Sequence, residues 1–201
     1  MKIGIMGGTF NPIHLGHILL ASAAKKKADL DEVWFMPSGL PAHKSNSELA
    51  PAKHRLTMVA LSIKDIPGFV ASSYETERPG FTYTADTLEA LAKEYPQHEF
   101  YFIIGGDSLM QFHNWVKPEV ISAHAVLLAA GRDNYSEKEL QEQAQKLHQL
   151  YGTDIRMVAM PKFEVSSNQI RKCIKDHQTE DIREAVTEEV LNYILEHNLY
   201  R

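Results

Sequence analysis

Six short runs of apolar residues, at positions 3–6, 33–36, 69–72, 100–104, 125–130 and 155–160, constrain this chain more than any other feature. Each is apolar almost throughout instead of alternating in polarity, the pattern of strands buried on both faces of a parallel sheet. Several stop at chain breakers: Gly7-Gly8, Pro37, Gly105-Gly106 and Gly131. Helical patterns fill the gaps. Residues 15–28 are rich in Ala and Lys, with Leu19, Leu20 and Ala23 on one side. Pro51 opens a helix whose apolar stripe is Leu56, Val59, Ala60 and Ile63. Residues 84–95 place Leu88, Leu91 and Ala92 on one face, and residues 136–150 form a polar surface helix. Two further helices are predicted at 168–175 and 187–196. The expected fold is α/β: a doubly wound, Rossmann-like parallel sheet with helices on both faces and a small C-terminal helical portion. No repeat or linker interrupts it, so residues 1–201 are expected to form a single domain.

Composition narrows the function classes. Hydrophobic residues are 44 % and charged residues 23 % of the chain, as in ordinary globular proteins. The net charge of -5 argues against a whole-surface nucleic-acid binder and leaves a local basic site open, and no nucleic-acid partner is expected. No apolar run reaches the roughly 18 residues that a membrane span requires. A single cysteine, Cys173, excludes an internal disulfide framework and a cysteine-based zinc site, and the N-terminus does not read as a signal peptide. A cytoplasmic location is expected, and a symmetric homodimer is the default assembly.

Doubly wound sheets bind ligands beyond the carboxyl ends of their strands, so the segments after each strand carry the functional argument. The first strand runs into Gly7-Gly8-Thr9-Phe10-Asn11-Pro12-Ile13-His14-Leu15-Gly16-His17. The glycines allow close backbone approach to a ligand. His14 and His17 are three residues apart, on one face of a helix start where the dipole favours anions. Two imidazoles and a helix N-terminus suit a polyphosphate; a turn glycine pair or a two-His metal site is the competing reading. The segment is neither a dinucleotide fingerprint nor a Walker A loop. Near the C-terminus, Ser166, Ser167 and Arg171 collect at another helix start, a second candidate phosphate site, although Ser166 with Gln169 also fits a plain capping box. Gly105-Gly106-Asp107 follows the fourth run, where a carboxylate can take ribose hydroxyls or a metal, or simply cap a helix. Trp115, Lys44 and Arg132 fall in the same class of positions, with a core Trp and solvated cations as the alternatives, and residues 82–87 read as a helix start with Thr or Asp as its cap. No nucleophile paired with a base is evident, which favours chemistry without a covalent intermediate.

Gly7-Gly8-Thr9-Phe10-x-Pro12-x-His14-x-Gly16-His17, with Ser166-Ser167-x-x-Ile170-Arg171 downstream, resembles the nucleotidyltransferases bearing the H-x-G-H signature. Pro41-x-His43-Lys44, Tyr83-Thr84-x-Asp86-Thr87-Leu88, Gly105-x-Asp107 and Trp115 narrow the resemblance to bacterial nicotinate-nucleotide adenylyltransferases, along essentially the whole chain. The resemblance implies AMP transfer from ATP to nicotinate mononucleotide, giving nicotinate adenine dinucleotide and pyrophosphate in NAD biosynthesis. It implies Mg²⁺ brought in with ATP and no protein metal site. His14, His17 and Arg171 would be catalytic, with Gly7, Gly8, Thr9, Phe10, Gly105, Asp107, Ser166 and Ser167 completing the ATP site. Lys44, Thr84, Trp115 and Arg132 would hold the mononucleotide. The sequence departs from the family where Asn168 replaces a Thr and where Gly131-Arg132-Asp133 stands for Arg-Pro-Gly. Rival readings are a sister adenylyltransferase for nicotinamide mononucleotide or phosphopantetheine, an ATP-holding regulatory protein, and a dehydrogenase. The last lacks its glycine fingerprint.

Overall fold

A computed structural model of the chain describes residues 1–41, 48–131, 135–160, 163 and 165–201. The strands are β1 (Lys2–Gly8), β2 (Glu32–Pro37), β3 (Leu40–Pro41), β4 (Phe69–Ala71), β5 (Phe81–Thr82), β6 (Glu99–Gly105), β7 (Val126–Ala130) and β8 (Ile155–Val158). The α-helices are α1 (Leu15–Ala28), α2 (Ala52–Ile63), α3 (Thr84–Glu94), α4 (Gly106–Gln111), α5 (Pro118–His124), α6 (Glu137–Tyr151), α7 (Ser167–Lys175) and α8 (Glu188–Glu196). Six strands form a parallel sheet in the order β4-β2-β1-β6-β7-β8, and β3 pairs with β5 in parallel. The chain therefore winds outward from β1 in one direction and returns to wind outward from β6 in the other. That reversal puts the topological switch point, where such sheets bind ligands, between β1 and β6. The predicted strands and longer helices are all present, with ends displaced by one or two residues.

The chain resolves into two compact units. The first comprises Met1–Gly7, Leu20–Trp34 and Tyr83–Lys162; the second comprises Gly8–Leu19, Phe35–Thr82 and Phe163–Arg201. In the first unit, β1 and β6 align Ile3 with Phe100 and Ile5 with Phe102, and β7 continues the layer with Leu127 and Leu128. Leu88 and Leu91 of α3 and Leu140 and Leu147 of α6 are buried as their spacing requires. Helix α6 starts at a capping box, Ser136 with Glu139, and stops at Gly152 in the left-handed conformation at φ 69°. Gln143 lies on its buried face and donates to the carbonyls of Leu109 and Met110 at 3.3 and 3.4 Å. Helices α4 and α5 and the 3-10 turn Phe112–Asn114 between them lie where the sequence reading assigned no element. Each is too short to display a hydrophobic period.

The second unit departs from expectation in α2. The predicted stripe included Leu56 and Ala60, but the buried face is Arg55, Met58, Val59, Ser62 and Ile63, with Ala60 exposed. Arg55 is fully buried. Its guanidinium donates from Nε to Ala50 O at 2.9 Å, and through its terminal nitrogens to Thr9 O and Gly39 O at 2.8 Å each. A buried cation is tolerated when carbonyl dipoles replace its water. Burial still lowers the Arg55 pKa from its ordinary value, with Tyr200 acting against the shift. Helix α8 is tied to α2 by Lys64–Glu189 at 3.0 Å and by the Tyr193 hydroxyl with His54 Nδ1 at 2.9 Å. Among the described residues, no helix is long and apolar enough to cross a membrane.

Replacing Arg55 by Met fills similar space but strands three carbonyls. The expected destabilisation is about 3 kcal/mol or more, at about 1–3 kcal/mol per buried unsatisfied group. Urea denaturation of Arg55→Met against the native chain reads this directly, and an unchanged midpoint contradicts it.

Candidate active site

The segment after β1 leaves regular structure through Phe10, a non-glycine residue at φ 48°, and the Asn11–Pro12 peptide is cis. Its carbonyls cannot be satisfied by a helix or strand pattern, and donors from elsewhere in the second unit supply the bonds. The amide of Ser38 donates to Gly8 O at 2.9 Å and Arg55 to Thr9 O at 2.8 Å. Arg171 donates to Asn11 O at 3.0 Å, and the Ser167 hydroxyl donates to Pro12 O at 2.9 Å. The first amide of α1, at Leu15, is taken by Ala185 O at 2.8 Å.

This fixed loop leads into the histidine pair. The two imidazole centroids lie 3.8 Å apart and tilted by 36°. The His14 amide donates to His17 Nδ1 at 3.2 Å. With Nδ1 accepting, the proton of the neutral His17 ring belongs on Nε2. Phe10 packs edge-on beneath His17 at 5.1 Å, and Phe163 stacks beyond His14 at 6.4 Å. Gly16 permits this layering. A Cβ there would lie 2.8 Å from the Phe163 ring and 3.0 Å from His14 Nδ1, so the glycine of H-x-G-H is a packing requirement.

The second predicted phosphate element converges on the same loop. Ser166 caps α7: its hydroxyl accepts from the Gln169 amide at 3.2 Å and its own amide donates to Gln169 Oε1 at 2.9 Å. Both hydroxyls expected there are thus used within the protein, Ser166 in the cap and Ser167 on Pro12. The first-turn amides of α7 and Arg171 carry the positive potential. Arg171 donates to Asn168 Oδ1 at 3.1 Å and to Glu48 Oε2 at 3.3 Å. Its buried Nε has no partner among the described residues. Asn168, the departure from the family pattern, orients this guanidinium.

In the first unit, Gly7 of β1 lies against the Phe102 ring, which a Cβ would approach to 3.2 Å. Gly105 ends the neighbouring β6, and nothing lies within 4 Å of a Cβ built there. Asp107 is exposed in the first turn of α4. Trp115 is half-buried, edge-on to Phe102 at 6.0 Å and tilted on Phe112 at 5.6 Å, so it is anchored in the core and still accessible. Thr84 is the first residue of α3; neither it nor Asp86 caps the helix, whose N-cap is Tyr83. Asp86 instead pairs with Lys117 at 3.0 Å, tying the segment that bears Trp115 to the helix start that bears Thr84. Lys44 and Arg132 lie outside the described residues.

The sequence reading passed over three supporting residues. Asn11 is buried and accepts on Oδ1 from the Ala50 amide at 3.0 Å and the Tyr200 hydroxyl at 2.9 Å, while its Nδ2 donates to Glu48 O at 2.8 Å. Arg55 and Tyr200 carry no local pattern; only the position of Asn11 inside the motif pointed to it. Burial raises the Tyr200 pKa well above the usual tyrosine value, against the opposing pull of Arg171 and Arg55. Burial, reinforced by a bond to Glu99, also raises that of Tyr101.

Both tyrosines hold their protons more tightly folded than unfolded. Their contribution is therefore complete below about pH 10, the unfolded value, and is lost as pH rises beyond it. Urea unfolding between about pH 8 and 11 should show alkaline destabilisation. Tyr200→Phe should remove Tyr200's share and leave that of Tyr101. An identical pH slope in Tyr200→Phe contradicts the assignment.

Comparison with known proteins places this geometry. A family model described as cytidylyltransferase-like matches residues 5–173. A protein of Lachnoclostridium phytofermentans named a probable nicotinate-nucleotide adenylyltransferase is 45 % identical over 99 % of this chain and 98 % of its own length. One of the same name from Clostridium botulinum is 39 % identical over 100 % of this chain and 98 % of its own. Among solved structures, nicotinic acid mononucleotide adenylyltransferase of Plasmodium falciparum, complexed with NaAD, has a TM-score of 0.82 at 21 % identity. It covers 99 % of this chain and 97 % of that one, and it shares the fold. With the H-x-G-H loop, the Ser-Ser/Arg helix start and a full-length match, the chain belongs to the nicotinate-nucleotide adenylyltransferase family of cytidylyltransferase-like proteins.

Proposed function

We propose that this chain transfers AMP from ATP to nicotinate mononucleotide, releasing pyrophosphate and nicotinate adenine dinucleotide as a step of NAD biosynthesis. A phosphate oxygen of the mononucleotide attacks the α-phosphorus of ATP in line. The bond from that phosphorus to the bridging oxygen of the β-phosphate breaks, and pyrophosphate leaves with the electron pair. The attacking oxygen is already anionic, so no general base or covalent intermediate is required, and the protein's task is positioning and charge stabilisation.

The observation that carries this reading is the locked histidine pair on a loop whose Asn11 carbonyl accepts from Arg171. The His14 amide on His17 Nδ1 fixes a tautomer whose donor is Nε2, suited to charge developing on the leaving pyrophosphate. His14, Arg171 and the α7 amides that follow Ser166 and Ser167 would hold the β- and γ-phosphates. Gly7, Gly8, Thr9 and Phe10 would line the phosphate path. Gly105 would admit the nucleoside closely and Asp107 would take ribose hydroxyls. Trp115, with Thr84, would hold the pyridine end by stacking, and Lys44 and Arg132 would neutralise mononucleotide charge. Mg²⁺ prefers phosphate oxygens and water to a protein cage. Among the described residues no group of three or more His, Cys, Asp or Glu could hold a metal. By that preference the ion would come with ATP and offset triphosphate charge. Residues 1–201 would act as one nucleotidyltransferase domain in the cytoplasm, with a second copy as the default partner.

The test is pyrophosphate release from ATP and Mg²⁺ with nicotinate mononucleotide, nicotinamide mononucleotide and phosphopantetheine in parallel. Strong preference for the nicotinate nucleotide is expected, preference for another acceptor moves the substrate, and no release overturns the function. His17→Ala should lower turnover by about 10²–10³-fold; a near-native rate removes it from the chemistry. Trp115→Ala should raise the mononucleotide KM while leaving ATP affinity nearly unchanged. Equal losses for both substrates would make Trp115 structural.

A further inference from the structure

The penultimate residue of the chain is wired into the phosphate loop. Beyond α8 the backbone turns through Asn198 and Tyr200, both at positive φ, 51° and 66°. This folds the Tyr200 side chain inward, where its hydroxyl donates to Asn11 Oδ1 at 2.9 Å. Asn11 is 4 % exposed, and both acceptor sites of its Oδ1 are filled, one by Tyr200 and one by the Ala50 amide at 3.0 Å. Its backbone carbonyl meanwhile accepts from Arg171 at 3.0 Å. Two residues upstream, the carbonyl of Thr9 belongs to Arg55.

We propose that Tyr200 is a positioning residue for the ATP-phosphate site, acting through Asn11 to fix the loop carbonyl that aims Arg171. The inference rests on Arg171 being a phosphate ligand, as proposed above. Three observations support the linkage. First, the chain of contacts runs from Tyr200 hydroxyl to Asn11 side chain, and from Asn11 carbonyl to Arg171 guanidinium, without an intervening group. Second, Arg171 and Arg55 both act electrostatically on the Tyr200 hydroxyl, and burial keeps that hydroxyl protonated, so it stays a donor at every working pH. Third, the terminal nitrogens of Arg171 bond to Asn11 O, Glu48 Oε2 and Asn168 Oδ1, while its buried Nε has no partner among the described residues, so its aim is set by those bonds. Removing the Tyr200 hydroxyl would leave an Asn11 acceptor buried with one partner fewer. The Asn side chain could then rotate, carrying the loop with it.

A purely structural role for Tyr200 predicts lost stability and nothing more. Tyr193 supplies the control: it lies on α8, and its hydroxyl also makes one bond to a distant side chain, His54 Nδ1 at 2.9 Å, away from the loop. ATP binding is measured by calorimetric titration, without acceptor, for the native chain, Tyr200→Phe, Tyr193→Phe, Arg171→Ala and the double variant of Tyr200 and Arg171. Thermal unfolding of each variant is measured alongside. The expected result is a Kd for ATP weakened roughly three- to tenfold in Tyr200→Phe, the scale of one hydrogen bond. Tyr193→Phe should leave the Kd unchanged while losing comparable stability. In the Arg171→Ala background, Tyr200→Phe should add no further loss, because its effect passes through that guanidinium. An unchanged Kd in Tyr200→Phe overturns the proposal, as does an effect that simply adds to that of Arg171→Ala. Failure of the underlying reading looks different: Arg171→Ala itself then binds ATP as tightly as the native chain, or the native chain does not bind ATP, and the proposal falls with it.

Discussion

The loop between β1 and α1 depends on hydrogen bonds it cannot make for itself. A backbone that turns through Phe10 at φ 48° offers its carbonyls to no neighbouring strand or helix turn, and buried carbonyls without donors would cost roughly 1–3 kcal/mol each. Arg55, Arg171 and Ser167 answer three of these demands from positions 46, 160 and 155 residues away in the chain. The loop therefore has a defined shape only when α2 and α7 are in place around it. Its order is a property of the assembled unit, so its groups are fixed before any ligand arrives. Such preorganisation makes electrostatic catalysis effective, because no reorganisation is left for the moment of reaction.

The same side chains then serve two purposes. Ser166 was open to two readings, a helix cap or a phosphate donor, and the structure shows the cap in place. The readings need not compete. A capped α7 presents its remaining first-turn amides in a fixed direction, and capping leaves the positive end of the helix dipole where it was. Ser167 is used similarly: its hydroxyl on Pro12 O draws the histidine loop and the α7 start together. Gly16 shows the constraint from the other side. Any Cβ there would press on Phe163 and His14, so the spacing of the two histidines and the absence of a side chain between them are one requirement.

What could be read from the sequence was what is local. Continuous apolar runs closed by Gly or Pro report burial on both faces, so the sheet was legible. The motif from Gly7 to His17 was legible because its chemistry and its turn are written in adjacent residues. Helices α4 and α5 were not, since six- and seven-residue helices complete too few turns to show a period. The stripe of α2 was misread because hydrophobicity alone cannot predict that Arg55 goes inside while Ala60 stays out. That inversion follows from three carbonyls, of Thr9, Gly39 and Ala50, whose convergence no window of sequence contains.

Groups proposed to touch a substrate must present a particular chemistry, and chemistry is specified by residue type, so His14, His17, Asp107 and Arg171 could be singled out as candidates in advance. Groups that hold those residues still need only one donor or acceptor at the right place, and many residue types at many positions could supply it. Tyr200 illustrates the second class: as a tyrosine near a chain end it carries no signal, and its bond to Asn11 spans 189 residues. Since Arg171 is held by the carbonyl of Asn11, the precision of the proposed phosphate site depends on such unmarked residues as directly as on the motif.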